Sequence, residues 1–239
     1  MDRVRLAGGK DVCAKGARVN LLLTSAGIKN TSIRGALVEM LGQPIEESSA
    51  LCIPTASYAR PGGTGAAWRF IAGRATTPMC ELDWKSLGVL ELATLPSIDR
   101  DVWYPTVQAT DAILVNGGDP MYLSYWMKES GFADVLASHY HGVYVGLSAG
   151  SMVLAPHVGE DFVQWRPPEG GDTTLGLVEF SIFPHLDHPD MPTNSMTDAE
   201  QWASTLPGPA YALDDQSAIR VVDHAVDVVS EGHWRYFPR

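Results

Sequence analysis

Cysteine is scarce in this chain: Cys13, Cys52 and Cys80 are the only three among 239 residues, and no two of them form a CxxC pair. An odd, scattered set gives neither a disulfide framework nor a zinc knuckle. It points to reduced, partly buried thiols in a cytoplasmic protein. Basic residues are also few, with 17 Lys and Arg against 28 Asp and Glu and a net charge of −11. That balance lacks the electrostatic footprint of a nucleic-acid binder, and anionic membrane surfaces repel it. Nowhere do roughly 18 apolar residues run together, as a membrane span requires. The first residues carry Arg3, Arg5, Lys10, Asp11 and Lys15 where a signal peptide has its apolar core. Residues 1–17 are expected to form a flexible N-terminal segment of a single domain covering 1–239. Internal repeats and low-complexity tracts are missing. So is any histidine–carboxylate spacing such as H-E-x-x-H, and neither a metal nor a cofactor is expected.

What is present is globular: 45% of residues are hydrophobic, and seven Trp, eight Tyr and six Phe supply a core. Short apolar runs at Val19–Thr24, Ala50–Pro54, Leu87–Leu92, Ala112–Val115 and Val143–Leu147 read as buried strands. Helix-sized segments separate them, including a helix capped by Asn30-Thr31-Ser32 and ended by Gly42. This alternation predicts an α/β fold of three layers, a mostly parallel sheet flanked by helices. From about Glu179 the pattern shifts to short C-terminal strands at 180–183, 210–213, 218–222 and 226–229, the last two around a turn at Asp223-His224-Ala225. Gly232–Tyr236 reads as the end of the last strand.

The most informative stretch is Gly146-Leu147-Ser148-Ala149-Gly150, a G-x-S-x-G motif directly after a strand and before a helix. A tight strand-to-helix turn exposes the serine hydroxyl and aims backbone N–H groups and the positive helix end at one point. Ser148 is therefore the candidate nucleophile, and the N–H of Ala149 is one donor for an oxyanion. A second donor is expected from a neighbouring strand end. Asn116-Gly117-Gly118-Asp119 occupies one, and the carboxyl edge of an open α/β sheet is where ligands bind.

A serine nucleophile needs a base, and the chain holds seven histidines: His139, His141, His157, His185, His188, His224 and His233. His139 and His141 precede the strand that carries the serine and fall at its far end, and His157 is too close to Ser148 in sequence to face it. His185 closes the run Ile182-Phe183-Pro184-His185 and can share the carboxyl edge with Ser148; His188 follows in the same Pro-bounded loop. For the group that orients the imidazole, Glu160 and Asp161 lie between serine and histidine, with Asp187 and Asp190 as alternatives.

With these residues in place the chain resembles the peptidase E (aspartyl dipeptidase) and cyanophycinase family, whose fold is similar to class I glutamine amidotransferases. The resemblance rests on Gly146–Ser151, Asn116–Asp119 and Phe183-Pro184-His185, and spans roughly Leu21 to Val229. It implies a serine exopeptidase or dipeptidase that cleaves short peptides through an acyl-enzyme. Ser148 is then the nucleophile, His185 the general base and Asp161 the acid. Gly118 and Ala149 become the oxyanion donors, and Gly117 and Asp119 lie beside the substrate. The implied partners are a short peptide and a second copy of the chain in a homodimer.

Two departures bear on substrate. Asp119 stands where the family pattern has Asn, and the family's arginine after the histidine is missing from Met196–Gln201. Between Glu129 and Ile219 the one cation is Arg166, among thirteen Asp and Glu. A carboxylate clamp needs an arginine, so a preference for N-terminal aspartate is not expected unless Arg166 or an upstream residue folds in; an acidic site would attract a free amino terminus instead. Two other readings remain. An α/β-hydrolase esterase would pair His224 or His233 with Asp214 or Asp215. An inactive amidotransferase-like module would bind without turnover.

Overall fold

The computed structural model describes residues 20–238. Cys13 and the N-terminal segment expected to be flexible lie outside the described residues.

Five strands of a seven-stranded sheet run parallel: β1 (Asn20–Thr24), β2 (Ser49–Ile53), β3 (Ser86–Val89), β4 (Ala112–Val115) and β5 (Val143–Leu147). Their order is β3-β2-β4-β5-β1, with Thr24 beside Leu147 and Val115 beside Gly146 at the carboxyl edge. Successive side chains on a strand point to opposite faces, and in β1, β2, β4 and β5 both faces are buried. Leu21, Leu23, Leu51, Ile53, Ile113, Val115 and Tyr144 enter one core cluster. Leu22, Ala50, Cys52, Ala112, Leu114, Val143 and Val145 enter another. Continuous apolar runs are what a strand covered on both sides requires.

Helices cover each face. On the second cluster lie α1 (Thr31–Leu41), through Ile33, Ala36 and Leu37, and α2 (Gly63–Ile71), through Phe70. On the first lie α3 (Arg100–Gln108), α4 (Pro120–Glu129), α5 (Phe132–Ser138) and α6 (Ala149–Met152). The ends of α1 follow its sequence: the Asn30 side chain accepts from the Ile33 N–H, and Gly42 closes it in the left-handed conformation at φ 70°.

The C-terminal part holds the expected short strands, and there the strand direction reverses. After β6 (Ser181–Phe183), α7 (Met196–Thr205) and β7 (Ala210–Leu213), strand β8 (Ser217–Val222) runs antiparallel to β1, and β9 (Ala225–Ser230) antiparallel to β8. Between them Asp223 and His224 both take positive φ, as a tight hairpin demands. One expectation is corrected here. Residues around Gly232–Tyr236 do not end β9. They start β10 (Trp234–Phe237), which leaves the large sheet and pairs with β7 in a second, three-stranded sheet ordered β10-β7-β6. Among the described residues no helix is long and apolar enough to cross a membrane. Cys52 and Cys80 are buried free thiols.

Candidate active site

Ser148 sits between β5 and α6 at φ 50°, ψ −112°, a strained conformation for a residue with a Cβ. The surroundings hold it there. Its N–H donates to the Thr24 carbonyl at 3.1 Å, and the Ser151 hydroxyl donates to the same oxygen at 2.8 Å. The Tyr144 hydroxyl secures the Gly150 carbonyl at 2.6 Å. Both glycines of the motif are needed for close approach: a Cβ on Gly146 would lie 2.6 Å from the Gly150 oxygen, and one on Gly150 only 2.3 Å from the Val115 oxygen. The Ala149 N–H begins α6 and so has no partner within the helix.

The end of β4 packs against this turn. A Cβ on Gly117 would lie 2.8 Å from Leu147 Cδ2 and 3.3 Å from Ser148 Cβ, so the two segments approach closely. Gly118 has φ 146°, and a Cβ there would overlap the Ala56 carbonyl oxygen at 2.1 Å. Ser57, just beyond β2, fastens the segment: it accepts from Asn116 Nδ2 at 2.8 Å and donates to the Gly117 carbonyl at 3.0 Å. Asp119 does not lie beside the cleft as expected. It is completely buried and caps α4. One carboxylate oxygen accepts from Met121 N (3.0 Å) and Tyr122 N (2.9 Å), the other from Trp165 N (2.8 Å). Backbone amides thus satisfy both oxygens, which makes it a structural residue.

His185 follows β6 and Pro184, at φ 57°. Its N–H donates to Ser25 Oγ at 2.7 Å, which ties it to the end of β1 and so to the carboxyl edge where Ser148 lies. Its ring donates from Nδ1 to Asp215 Oδ1 at 2.7 Å. His188 Nε2 stands 3.6 Å from the other Asp215 oxygen. Burial pushes the Asp215 carboxyl up, but the hydrogen bond from His185 and the charges of His185, His188 and Lys29 outweigh it, leaving the group below the usual carboxylate range. An ionised Asp215 keeps the proton on Nδ1 and leaves Nε2 to accept one.

Asp215 replaces Asp161 as the partner of His185. Asp161 lies exposed in a single 3-10 turn (Glu160–Phe162) on the rim of the cleft, and no hydrogen bond joins it to the imidazole. Topology excludes His224 as well. Strand β8 starts opposite the carboxyl end of β1 and runs away from it, so the β8–β9 turn is at the far edge of the sheet. The same reversal brings Asp214 and Asp215, just before β8, to the edge where Ser148 lies.

Ser148, Gly117, Gly118, Asp161 and His185 line one cleft of about 720 Å³. A smaller recess of about 360 Å³ shares Asp161 and Phe162 with it and reaches Asp198 and Gln201. The cleft is not uniformly acidic. Arg60, Arg69 and Arg74, from α2 and the segments flanking it, line it together with Asp161 and Asp190. These upstream arginines fold in, whereas Arg166 is exposed beside Glu160 at 3.7 Å. Among the described residues no cluster of His, Cys, Asp and Glu is arranged to hold a metal.

Comparison with known proteins speaks to the family and the fold. The family model of peptidase family S51 matches residues 21–229. Among solved structures, a peptidase E protein from Listeria monocytogenes EGD-e superposes with a TM-score of 0.62 at 19% identity, over 90% of this chain and 100% of that one. A peptidase from an acI-B1 Actinobacterium superposes with a TM-score of 0.57 at 18% identity, over 92% of this chain and 88% of that one. At these identities the likeness speaks for the fold. No curated protein matches the chain significantly.

Proposed function

The chain belongs to peptidase family S51 and is a serine-type peptidase; from that premise we propose that it is an exopeptidase of short peptides in which Ser148, His185 and Asp215 act as nucleophile, base and acid. The observation that carries the reading is the 2.7 Å bond from His185 Nδ1 to Asp215, on the sheet edge where Ser148 occupies its strained turn. His185 takes the Ser148 proton at Nε2 as the hydroxyl oxygen attacks the scissile carbonyl. Asp215 stabilises the imidazolium that forms. The N–H groups of Gly118 and Ala149 receive the developing oxyanion. His185 returns the proton to the departing amine, and the acyl group stays on Ser148 until a water, deprotonated by the same imidazole, releases it.

The charge distribution of the cleft supports a zwitterionic substrate. Asp161 and Asp190 suit a free amino terminus, and Arg60, Arg69 and Arg74 suit a carboxylate. The test is hydrolysis of a dipeptide and tripeptide library with free, acetylated and amidated ends, with Ser148→Ala as control. Turnover confined to short peptides with free termini, and lost in Ser148→Ala, is expected. Equal turnover of doubly blocked peptides would refute the exopeptidase reading, and full activity in Ser148→Ala would refute the nucleophile.

A further inference from the structure

The peptidase reading gives no role to His233, yet this residue joins the two segments that carry the base and its acid. The first is the turn His185-Leu186-Asp187-His188. Two non-glycine residues in it take left-handed conformations, His185 at φ 57° and Asp187 at φ 54°. Such residues persist only where neighbouring contacts hold them. The second is the β7–β8 turn with Asp214 and Asp215. His233 lies just before β10, where its carbonyl accepts from Asp214 N at 3.2 Å and its N–H donates to Asp214 Oδ2 at 2.8 Å. From that anchored backbone the ring reaches both sides, with Nδ1 3.0 Å from Asp214 Oδ2 and Nε2 2.9 Å from Asp187 Oδ2. The other Asp187 oxygen accepts from Met196 N at 3.2 Å, so the same carboxylate also reaches the first residue of α7.

We propose that His233 is a positioning residue: by bridging Asp187 and Asp214 it clasps the left-handed turn of His185 to the turn of Asp215 and sets the distance between base and acid. Asp187 is two residues from His185 and Asp214 is adjacent to Asp215, so a change in the clasp is transmitted through one or two backbone units. The proposal rests on the reading of Ser148 and His185 as nucleophile and base. His233 itself touches no reacting atom, and its ring is about half exposed, at 54%.

The test uses the whole chain and the inactivation kinetics of a small fluorophosphonate, which separate probe binding (KI) from the covalent step (kinact). In that step Ser148 Oγ bonds to phosphorus, fluoride leaves, and His185 takes the hydroxyl proton. A displacement of about 1 Å in a catalytic group costs up to ~100-fold. We therefore expect His233→Ala to lower kinact by roughly 10-fold or more with KI unchanged and the melting temperature nearly unchanged. His233→Gln, whose amide can still donate to Asp187, should recover most of the loss. Asp187→Asn keeps a residue that tolerates the left-handed conformation but removes the charge, and should reproduce the loss; it decides the matter if His233→Ala fails to fold. Wild-type kinact in His233→Ala, or in Asp187→Asn if the alanine variant does not fold, would overturn the proposal alone. So would a change confined to KI. A folded wild type that is not labelled at Ser148 would overturn the serine reading and the proposal together.

Discussion

Replacing Asp215 by Asn separates the two carboxylates that compete for the role of acid. The His185–Asp215 contact is 2.7 Å, and the side chains are only 15% and 22% exposed, so solvent screens the pair weakly. When His185 takes the serine proton, the positive ring and the carboxylate have charge centres about 4 Å apart. At an effective dielectric of about 20 that attraction is worth roughly 4 kcal/mol. Losing it slows the reaction about 10³-fold. Asn adds a second fault. Its amide can donate to Nδ1, which places the imidazole proton on Nε2, the atom that must accept. In serine peptidases generally that tautomer error brings the loss to about 10⁴.

The assay is steady-state hydrolysis of the best library peptide by wild type, Asp215→Asn and Asp161→Asn. Asp215→Asn should lower kcat about 10³–10⁴-fold with KM changed little, because the lost interaction develops only in the transition state. Asp161→Asn should leave kcat within about threefold and raise KM for peptides with a free amine. The reverse ranking, with Asp215→Asn active and Asp161→Asn dead, would refute the assignment of the acid and restore the one read from sequence.

Other perturbations test the remaining parts. Gly118→Ala puts a Cβ 2.1 Å from the Ala56 oxygen, at φ 146°. It should displace the proposed oxyanion donor and lower kcat by about 10²-fold or more, read by the same assay. Asp119→Ala leaves three N–H groups, one buried and two partly buried, without their acceptor; it should cost about 3 kcal/mol and lower the melting temperature by roughly 6–12 °C, measured by calorimetry. The double change Arg69→Ala, Arg74→Ala should raise KM about 10-fold for peptides with a free carboxylate and not for amidated ones. The Asp215 carboxyl lies below its usual range when folded, so the stability it contributes is complete above the unfolded carboxylate value, near 4, and is lost as pH falls through the folded one. Melting curves should therefore show Asp215→Asn losing less stability than wild type between about pH 4 and pH 2.

The parallel half of the fold was legible because its residues are under one strong constraint. Strands buried on both faces must be apolar along most of their length, and in β1, β2, β4 and β5 the only polar residues are Asn20, Thr24 and Ser49 at strand ends, together with Tyr144. The strand-to-helix turn was legible for a similar reason, since Gly146 and Gly150 touch carbonyl oxygens and leave no room for another residue type. Two helices of the second half of the chain, α5 and α7, and helix α3 were less visible. Helix α3 contains Pro105, which breaks the ordinary helical pattern, and buries only Trp103 and Val107 against the sheet. The three arginines of the cleft were also out of sight, because Arg60, Arg69 and Arg74 lie over seventy residues before Ser148 in the chain, and only the packing of α2 on the sheet brings them there.

The acid shows most clearly what sequence order conceals. Asp161 lies between Ser148 and His185, where an expected order of serine, acid and histidine places it. Asp215 lies beyond His185, in the segment assigned to an esterase alternative. What decides between them is the direction of one strand. Because β8 runs antiparallel to β1, its first residue, not its last, meets the carboxyl edge of the sheet, with Ser217 O accepting from Ser25 N at 3.2 Å. The turn before β8 therefore delivers Asp215 to Ser25 and His185, and the turn after it carries His224 to the opposite edge. Had β8 been parallel to β1, the two turns would exchange places and His224 would be the histidine near the serine. A local signal for that direction existed in Val222-Asp223-His224-Ala225, whose hairpin joins β8 to an antiparallel neighbour. That pairing fixes β9 against β8 but not β8 against β1, and only the register of Leu21 to Thr24 with Val221 to Ala218 settles which end of β8 faces the site.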